Sequence, residues 1–202
     1  MFSKLFKLLR FIRRKIVRIE KHEVFVAERL LTQKPMWLPE EKVSIIAGGN
    51  ELGSALRDDL LWYSPTNKEF IDALRRCEVD GLFIHANDKL VHYAFLIRHN
   101  KTTRLIGFDN ETALIGNMYT ASDYRGKGYQ KRATAALLDW AISSGAQRVI
   151  AETSYTNTAS QQGLKNGGMQ SFGKVELLIV FNFLVIRYKR PSDKISWLGV
   201  VF

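Results

Sequence analysis

The residues best suited to chemistry are Asp123-Tyr124-Arg125-Gly126-Lys127-Gly128-Tyr129-Gln130. Two glycines open backbone conformations closed to other residues, so successive N–H groups can converge on one anion. A helix starting at the end of this run adds its own unpaired N–H groups and the positive end of its dipole. Arg125 and Lys127 add side-chain charge. Such a turn suits a pyrophosphate. Other phosphate loops do not fit. Gly-x-Gly-x-x-Gly is absent, and Gly163 and Gly168, at P-loop spacing, are followed by Met169-Gln170 where Lys and Ser or Thr are required.

A turn of this kind needs a strand before it and a helix after it. Ala113 to Tyr119 reads as the strand, and Ala133, Ala136, Leu137, Trp140 and Ala141 mark the buried face of a helix over 130–144, stopped by Gly145. Arg148 to Thr153 is strand again, followed by a short helix from Ala159 to Asn166 that Gly167-Gly168 ends. The apolar, β-branched stretch Val175 to Tyr188 predicts one long strand or two shorter ones.

Upstream, Val43 to Ala47 reads as a strand, Asn50 to Trp62 as a weak helix, and Glu69 opens a short helix after the turn at 64–67. Gly81 to Ala86 and Leu90 to Arg98 predict a hairpin around Asn87-Asp88-Lys89. A polar stretch, 100–112, contains an irregular strand at 104–107. This order implies an α/β fold: a mixed sheet with helices on both faces.

The series strand, Arg125-x-x-Gly128-x-Gln130, helix, strand, Asn157-x-x-Ser160 and Gly168-Met169 resembles the acetyl-CoA-binding half of the GNAT superfamily of acyl-CoA-dependent N-acyltransferases. The resemblance is carried by residues 113–172, and the element order extends it over 43–190. It implies a centrally splayed sheet in which the strand at Asn117-Met118-Tyr119-Thr120 parts from the strand at 149–151. The backbone of Arg125, Gly126, Lys127, Gly128, Tyr129 and Gln130 would then hold the pyrophosphate of acetyl-CoA. Pantetheine would pair with Met118 and Thr120, and Asn157 and Ser160 would form a second contact. By itself, Asn157 or Thr158 is equally suited to capping the short helix.

Two positions depart from the family pattern. Gln130 stands where Gly or Ala is usual, where its side chain either crowds the phosphates or bonds to them. Leu164 stands where the family often has the tyrosine that protonates the departing thiolate, and Met169 replaces the usual Phe.

An amine that attacks a thioester must lose a proton. Glu152, at the C-terminal end of its strand, is the first choice as base, the alternative being a carboxylate paired with Arg125 or Lys127. His92 is the second choice; alternation puts it on the face of Leu90, Ala94 and Leu96, as a satisfied core or groove histidine or as a base. Tyr119 and Tyr155 are the candidates to replace the missing acid, each with a packing role as the alternative. Trp62, Tyr63 and Asp123 are candidates to line an acceptor pocket.

Charge is concentrated at one end. Of the 30 Lys and Arg against 20 Asp and Glu, eight bases and one acid lie between Met1 and Lys21. The apolar residues Phe2, Leu5, Phe6, Leu9, Ile12, Ile16 and Ile19 follow helical steps there, and helix is expected to run on through His22 to Gln33. A basic amphipathic helix lying on an anionic membrane is one reading. Packing on the domain or on a second subunit, and a targeting presequence, are the others. The segment lacks the roughly 18 uninterrupted apolar residues of a membrane span, and its charges break up any secretory signal. The expected location is therefore cytoplasmic, at the inner face of a membrane.

The 46% hydrophobic content excludes a disordered chain, and the single cysteine, Cys77, excludes a disulfide framework and a cysteine-based zinc site. The four histidines lack the zinc-protease spacing, so no metal is expected. Bases that alternate with aliphatics, not stacking aromatics, disfavour nucleic acid. The division expected is a basic helix at 1–22, an acetyltransferase-like domain at 23–190 and a tail at 191–202. The expected activity is direct transfer of acetyl from acetyl-CoA to a primary amine, with an amino sugar of a surface polysaccharide or its precursor favoured as acceptor. A homodimer is compatible with the sequence. The rival is an inactive domain of the same fold that binds acyl-CoA or serves as a membrane-tethered interaction module, supported by Leu164 and Gln130.

Overall fold

Strand alternation organises the core. In β3 (Val79–Ala86), Leu82 and Ile84 face one side of the sheet and Phe83 the other; in β4 (Lys89–Ile97), Ala94 and Leu96 oppose Tyr93 and Phe95. All of these are buried, so the sheet is covered on both faces. The computed structural model describes residues 17–28, 35–98, 108–109, 111–180, 184–189 and 200–201.

The remaining strands are β1 (Val17–Ala27), β2 (Glu41–Ile46), β5 (Thr112–Thr120), β6 (Arg148–Ser154), β7 (Gln170–Val180), β8 (Leu184–Lys189) and β9 (Val200–Val201). The helices are α1 (Ser54–Tyr63), α2 (Asn67–Arg75), α3 (Tyr129–Ser143) and α4 (Thr158–Asn166), with a 3₁₀ turn at Ser122–Tyr124. Among the described residues the sheet order is β2-β3-β4-β5-β6-β1-β7-β8-β9. Every pairing is antiparallel except β5 with β6.

Helix α3 presents Ala133, Leu137, Leu138 and Ala141 to one face of the sheet, where Leu164 of α4 joins them. On the other face Leu60 of α1 and Ile71 and Leu74 of α2 pack on Phe83, Tyr93 and Phe95. A third cluster, Val24, Leu114, Ile150, Val175 and Leu177, shares Ile97 with that second one, so the two lie on the same side. This is the mixed α/β architecture expected from the order of elements.

One expectation fails. Residues 17–27 are not helical. They form β1, hydrogen-bonded to β6 along His22–Ala27 and to β7 along Val17–Val26. Val24 and Phe25 are adjacent, fully buried and on opposite faces, which is what a strand inside a doubly covered sheet requires. The three-and-four spacing of the apolar residues is overridden by these long-range pairings. The proposed boundary between 22 and 23 falls inside β1, and the proposed tail supplies β9, paired with β8. The helix expected over 1–16, its continuation over 29–33 and the irregular strand at 104–107 lie outside the described residues. Among those described, no helix is long and apolar enough to cross a membrane.

Candidate functional site

The parallel pairing of β5 with β6 is short. It runs from Thr112 opposite Arg148 to Ile115 opposite Ala151 and stops. Beyond that point β5 follows β4, with His92 opposite Thr120, while β6 follows β1, with His22 opposite Ser154. The strands part at Gly116 and Glu152, one residue before the expected Asn117 on β5 and one after the expected 149–151 on β6.

A bulge bends β5 there. Tyr93 faces Tyr119 and Phe95 faces Gly116, so Asn117 and Met118 together oppose Ala94. Asn117 takes a left-handed φ of 46°. Its side-chain amide donates to Oδ1 of the fully buried Asn67 at 2.8 Å, and Asn67 in turn donates to the carbonyl of Leu60.

The turn after β5 has the backbone that its glycines allow. Gly126 and Gly128 have φ values of 75° and 78°, with open space where a side chain would begin. Gly128 precedes α3, whose N-terminus has neither a side-chain cap nor an acid in its first turn. No side chain of the first turn of α3 therefore caps its unpaired N–H groups or offsets the positive end of its dipole.

Turn, splay and α4 enclose an open cleft of about 690 Å³. Met118, Tyr119, Thr120, Arg125, Gly126, Gly128, Tyr129, Gln130, Asn157 and Ser160 all line it, as does His92. Lys127 and Glu152 are not among its lining residues; the Lys127 ammonium lies 4.6 Å from the centre of the Tyr124 ring. Arg125 turns back, its Nε donating to the Thr120 carbonyl at 3.2 Å and its guanidinium 5.8 Å from the Tyr119 ring centre.

The Gln130 side chain neither crowds the turn nor bonds within it. Nε2 donates to the carbonyl and hydroxyl oxygens of Ser160, 3.2 and 3.0 Å away. Gly163 makes the room, since a Cβ there would sit 2.7 Å from Gln130 Cδ. Asn157 Oδ1 accepts from the Ser160 N–H, so it does cap α4 while also lining the cleft.

The candidate catalysts divide between the faces. A bulge between Ile84 and His85 changes the alternation in β4, so His92 lies in the cleft on the side of Ala94 and Leu96, opposite Leu90. Its Nδ1 is 2.8 Å from Thr120 Oγ1, while Nε2 is buried without a partner. Burial, with a smaller contribution from the Arg132 charge, lowers its pKa to about 3. A histidine this acidic stays neutral and is a weak base near neutral pH.

Val149 and Ala151 face α3 and α4, so Glu152 shares the opposite face with Ile150. Its partner is neither Arg125 nor Lys127. Glu152 Oε2 lies 3.6 Å from His22 Nδ1, and His22 Nε2 lies 3.3 Å from Glu20 Oε2. Burial raises the Glu152 pKa, the His22 charge pulls it back and Glu20 raises it further.

Tyr119 belongs to the same face, in an aromatic group with Tyr63 at 4.9 Å and Tyr93 at 5.7 Å between ring centres. Tyr119 and Glu152 therefore stand on opposite arms of the splay and on one side of the sheet. Tyr155 lies outside the cleft lining; its hydroxyl is buried without a partner, and burial raises its pKa. Leu164 is fully buried in the α3–α4 cluster. Trp62 is exposed, Tyr63 donates to the Leu90 carbonyl, and Asp123 accepts from the Ser122 hydroxyl. No group of three potential metal ligands gathers among the described residues.

Sequence reasoning missed His22, Glu20 and Asn67, and took Asn117 only as the start of the splaying stretch, without its left-handed φ or its bond to Asn67. Asn117 left a signal, because asparagine within a strand is a residue type that tolerates positive φ. The two on β1 left none, since their segment reads as helical.

A family model described as the acetyltransferase (GNAT) family matches residues 51–167. Among solved structures, an acetyltransferase of the GNAT family from Colwellia psychrerythraea has a TM-score of 0.55 at 17% identity, covering 77% of this chain and 53% of that one. A Drosophila protein has a TM-score of 0.59 at 17% identity, covering 90% and 58%. An aminoglycoside acetyltransferase from an uncultured soil sample, in complex with trehalose, has a TM-score of 0.50 at 10% identity, covering 64% and 88%. This chain spans less than two thirds of the length of the first two, and identities this low establish a shared fold. Comparison with curated proteins finds no match.

Proposed function

Since the chain belongs to the acetyltransferase (GNAT) family, we propose that it transfers an acetyl group from acetyl-CoA directly to a primary amine. The observation that carries the proposal is the coincidence, in one cleft, of the splay beyond Ile115 with the uncapped N-terminus of α3 behind Gly126 and Gly128.

In this reading the amides from Arg125 to Gln130 hold the coenzyme's pyrophosphate, and the edge of β5 at Met118 and Thr120 binds the pantetheine arm as an added strand would. Arg125 must release the Thr120 carbonyl for this to happen. The acceptor amine approaches from the α1–α2 face. Glu152 takes a proton from the amine nitrogen as that nitrogen bonds to the acetyl carbon. The carbon–sulfur bond breaks, and Tyr119 protonates the leaving thiolate, since the buried Leu164 has no proton to give. Holding the two substrates together supplies much of the acceleration.

For the acceptor we favour an amino sugar handled at the cytoplasmic face of a membrane, which the basic N-terminal segment would approach. Its support is the charge and apolar spacing of residues 1–16. The rival, a non-catalytic acyl-CoA-binding module, draws on the burial of Leu164.

Calorimetric titration of acetyl-CoA into the full chain tests the reading, with Arg125→Glu/Gly128→Glu as control. Deleting residues 1–21 would cut β1, so the full chain is required. Saturable binding that the control abolishes, followed by thiol release with an amine, supports the enzyme. Failure of the folded protein to bind millimolar acetyl-CoA overturns it.

A further inference from the structure

Two side-chain atoms on the acceptor-side face are sealed from solvent and have no hydrogen-bond partner: Nδ1 of His22 and Oε2 of Glu152. They face one another at 3.6 Å. Buried polar atoms are nearly always paired, so two orphans aimed at each other need a reason. A carboxylate and an unprotonated ring nitrogen both accept, and neither donates. The pair is one proton short of a hydrogen bond.

The other side of the imidazole is engaged. His22 Nε2 reaches Glu20 Oε2 at 3.3 Å, and the Glu20 side chain is 35% exposed. Glu152, His22 and Glu20 thus form a chain from the parting of the strands to water, with β1 supplying two of the three groups.

We infer that His22 is the positioning and proton-relay residue for Glu152, carrying to Glu20 and solvent the proton that Glu152 removes from the acceptor amine. The inference rests on Glu152 being the base. A proton arriving on Oε2 gives the Glu152–His22 pair its missing donor and lets the gap close to hydrogen-bond length. As that proton passes to Nδ1, the Nε2 proton passes to Glu20 and then to water. The transfer to the amine leaves one N–C bond formed, one C–S bond broken and no change in oxidation state.

The groups whose charge reaches Glu152 among the described residues are His22 and Glu20, both on β1. On β7, next to β1, Lys174 and Glu176 alternate with the buried Val175 and Leu177 and face the other side, toward Tyr155 and Lys21. His92 is on that other side as well.

The test is a carbon-13 NMR titration of the Glu152 carboxyl in the full chain, with the signal assigned by Glu152→Gln. With His22 present, a proton that enters the pair moves on to Nδ1 and leaves Glu152 a carboxylate, so replacing His22 by Gln or by Asn is expected to raise the Glu152 midpoint. Glu20→Gln is expected to lower it. A midpoint that stays put in both His22 variants, each confirmed folded by its unfolding transition, overturns the relay. Thiol release from acetyl-CoA, with glucosamine as the probe amine, separates this from the underlying reading. Unimpaired turnover by Glu152→Gln removes the base. Loss in Glu152→Gln, with a pH–rate profile unmoved by His22→Gln, overturns the relay alone. The supporting result is about a tenfold loss of kcat in His22→Gln, smaller than the roughly 10²–10⁴-fold contribution of a general base itself, with KM for acetyl-CoA unchanged.

Discussion

The side-chain oxygen of Asn67, the first residue of α2, accepts a hydrogen bond at 2.8 Å from the side-chain amide of Asn117, the left-handed residue of β5. A helix on one face of the sheet thereby fixes the bulge that opens the sheet. Asn67 is fully buried and also holds the Leu60 carbonyl, so none of its bonds is replaced by water when it is lost.

Asn67→Ala is therefore expected to cost about 1–3 kcal/mol, the penalty for leaving buried partners unpaired. It is also expected to weaken acetyl-CoA binding from a distance, because Met118 and Thr120 lie on the strand that the bulge steers. Asn117→Gly, which keeps the positive φ, should bind better than Asn117→Val. Urea unfolding and calorimetry on the three variants check the order.

The fit of Gln130 against Gly163 makes a double-mutant prediction. A helical Gly→Ala change ordinarily stabilises by about 1 kcal/mol. Here the new Cβ would meet Gln130 Cδ at 2.7 Å and displace its hydrogen bonds to Ser160. Gly163→Ala is expected to be neutral or destabilising alone and stabilising in a Gln130→Ala background. Additive unfolding free energies across the cycle would refute the contact. Gln130→Ala alone should leave acetyl-CoA affinity within a factor of about three, because only the backbone at 130 is asked to hold phosphate.

Gly126 and Gly128 have room for a side chain but not the backbone for one. Alanine at either costs roughly 1–2 kcal/mol in the left-handed region. If the turn bends to escape that strain, the amides lose their common focus, and coenzyme binding falls by tenfold or more while α3 persists. Circular dichroism beside calorimetry separates the two effects.

His92 sets an acid limit on stability. Its folded pKa, about 3, lies below the 6.5 of an unfolded histidine. Below pH 6.5 the unfolded state binds a proton that the folded state refuses, so stability falls with pH across the window from about 6.5 to 3, by up to about 1.4 kcal/mol per pH unit. Above 6.5 the group has no effect. Urea midpoints between pH 7.5 and 5 should decline in the parent and flatten in His92→Gln; equal slopes would mean that the imidazole is hydrated or bonded in the folded state.

Much of the site was legible because it is local. The demand for positive φ at Gly126 and Gly128, the strand before them and the helix after them are properties of about thirty consecutive residues. Any fold accepting those residues would build the same turn. The periodicity of α3 and the glycine stop after α4 were legible for the same reason.

What could not be read depended on partners far along the chain. Residues 17–27 have apolar spacing compatible with a helix, yet they lie between β6 and β7, which cover both edges of β1 with hydrogen bonds, while Phe25 and Val24 are buried in separate clusters on its two faces. That choice of strand over helix gives Glu152 the imidazole of His22 in place of the cations of the turn. Packing of α4 on α3 likewise decided that Leu164 is core and that Gln130 points away from the phosphate turn. The sequence by itself determined the anion-binding turn, because backbone geometry is set residue by residue. Only the tertiary structure decided which carboxylate meets which base, because that depends on the register of strands more than a hundred residues apart.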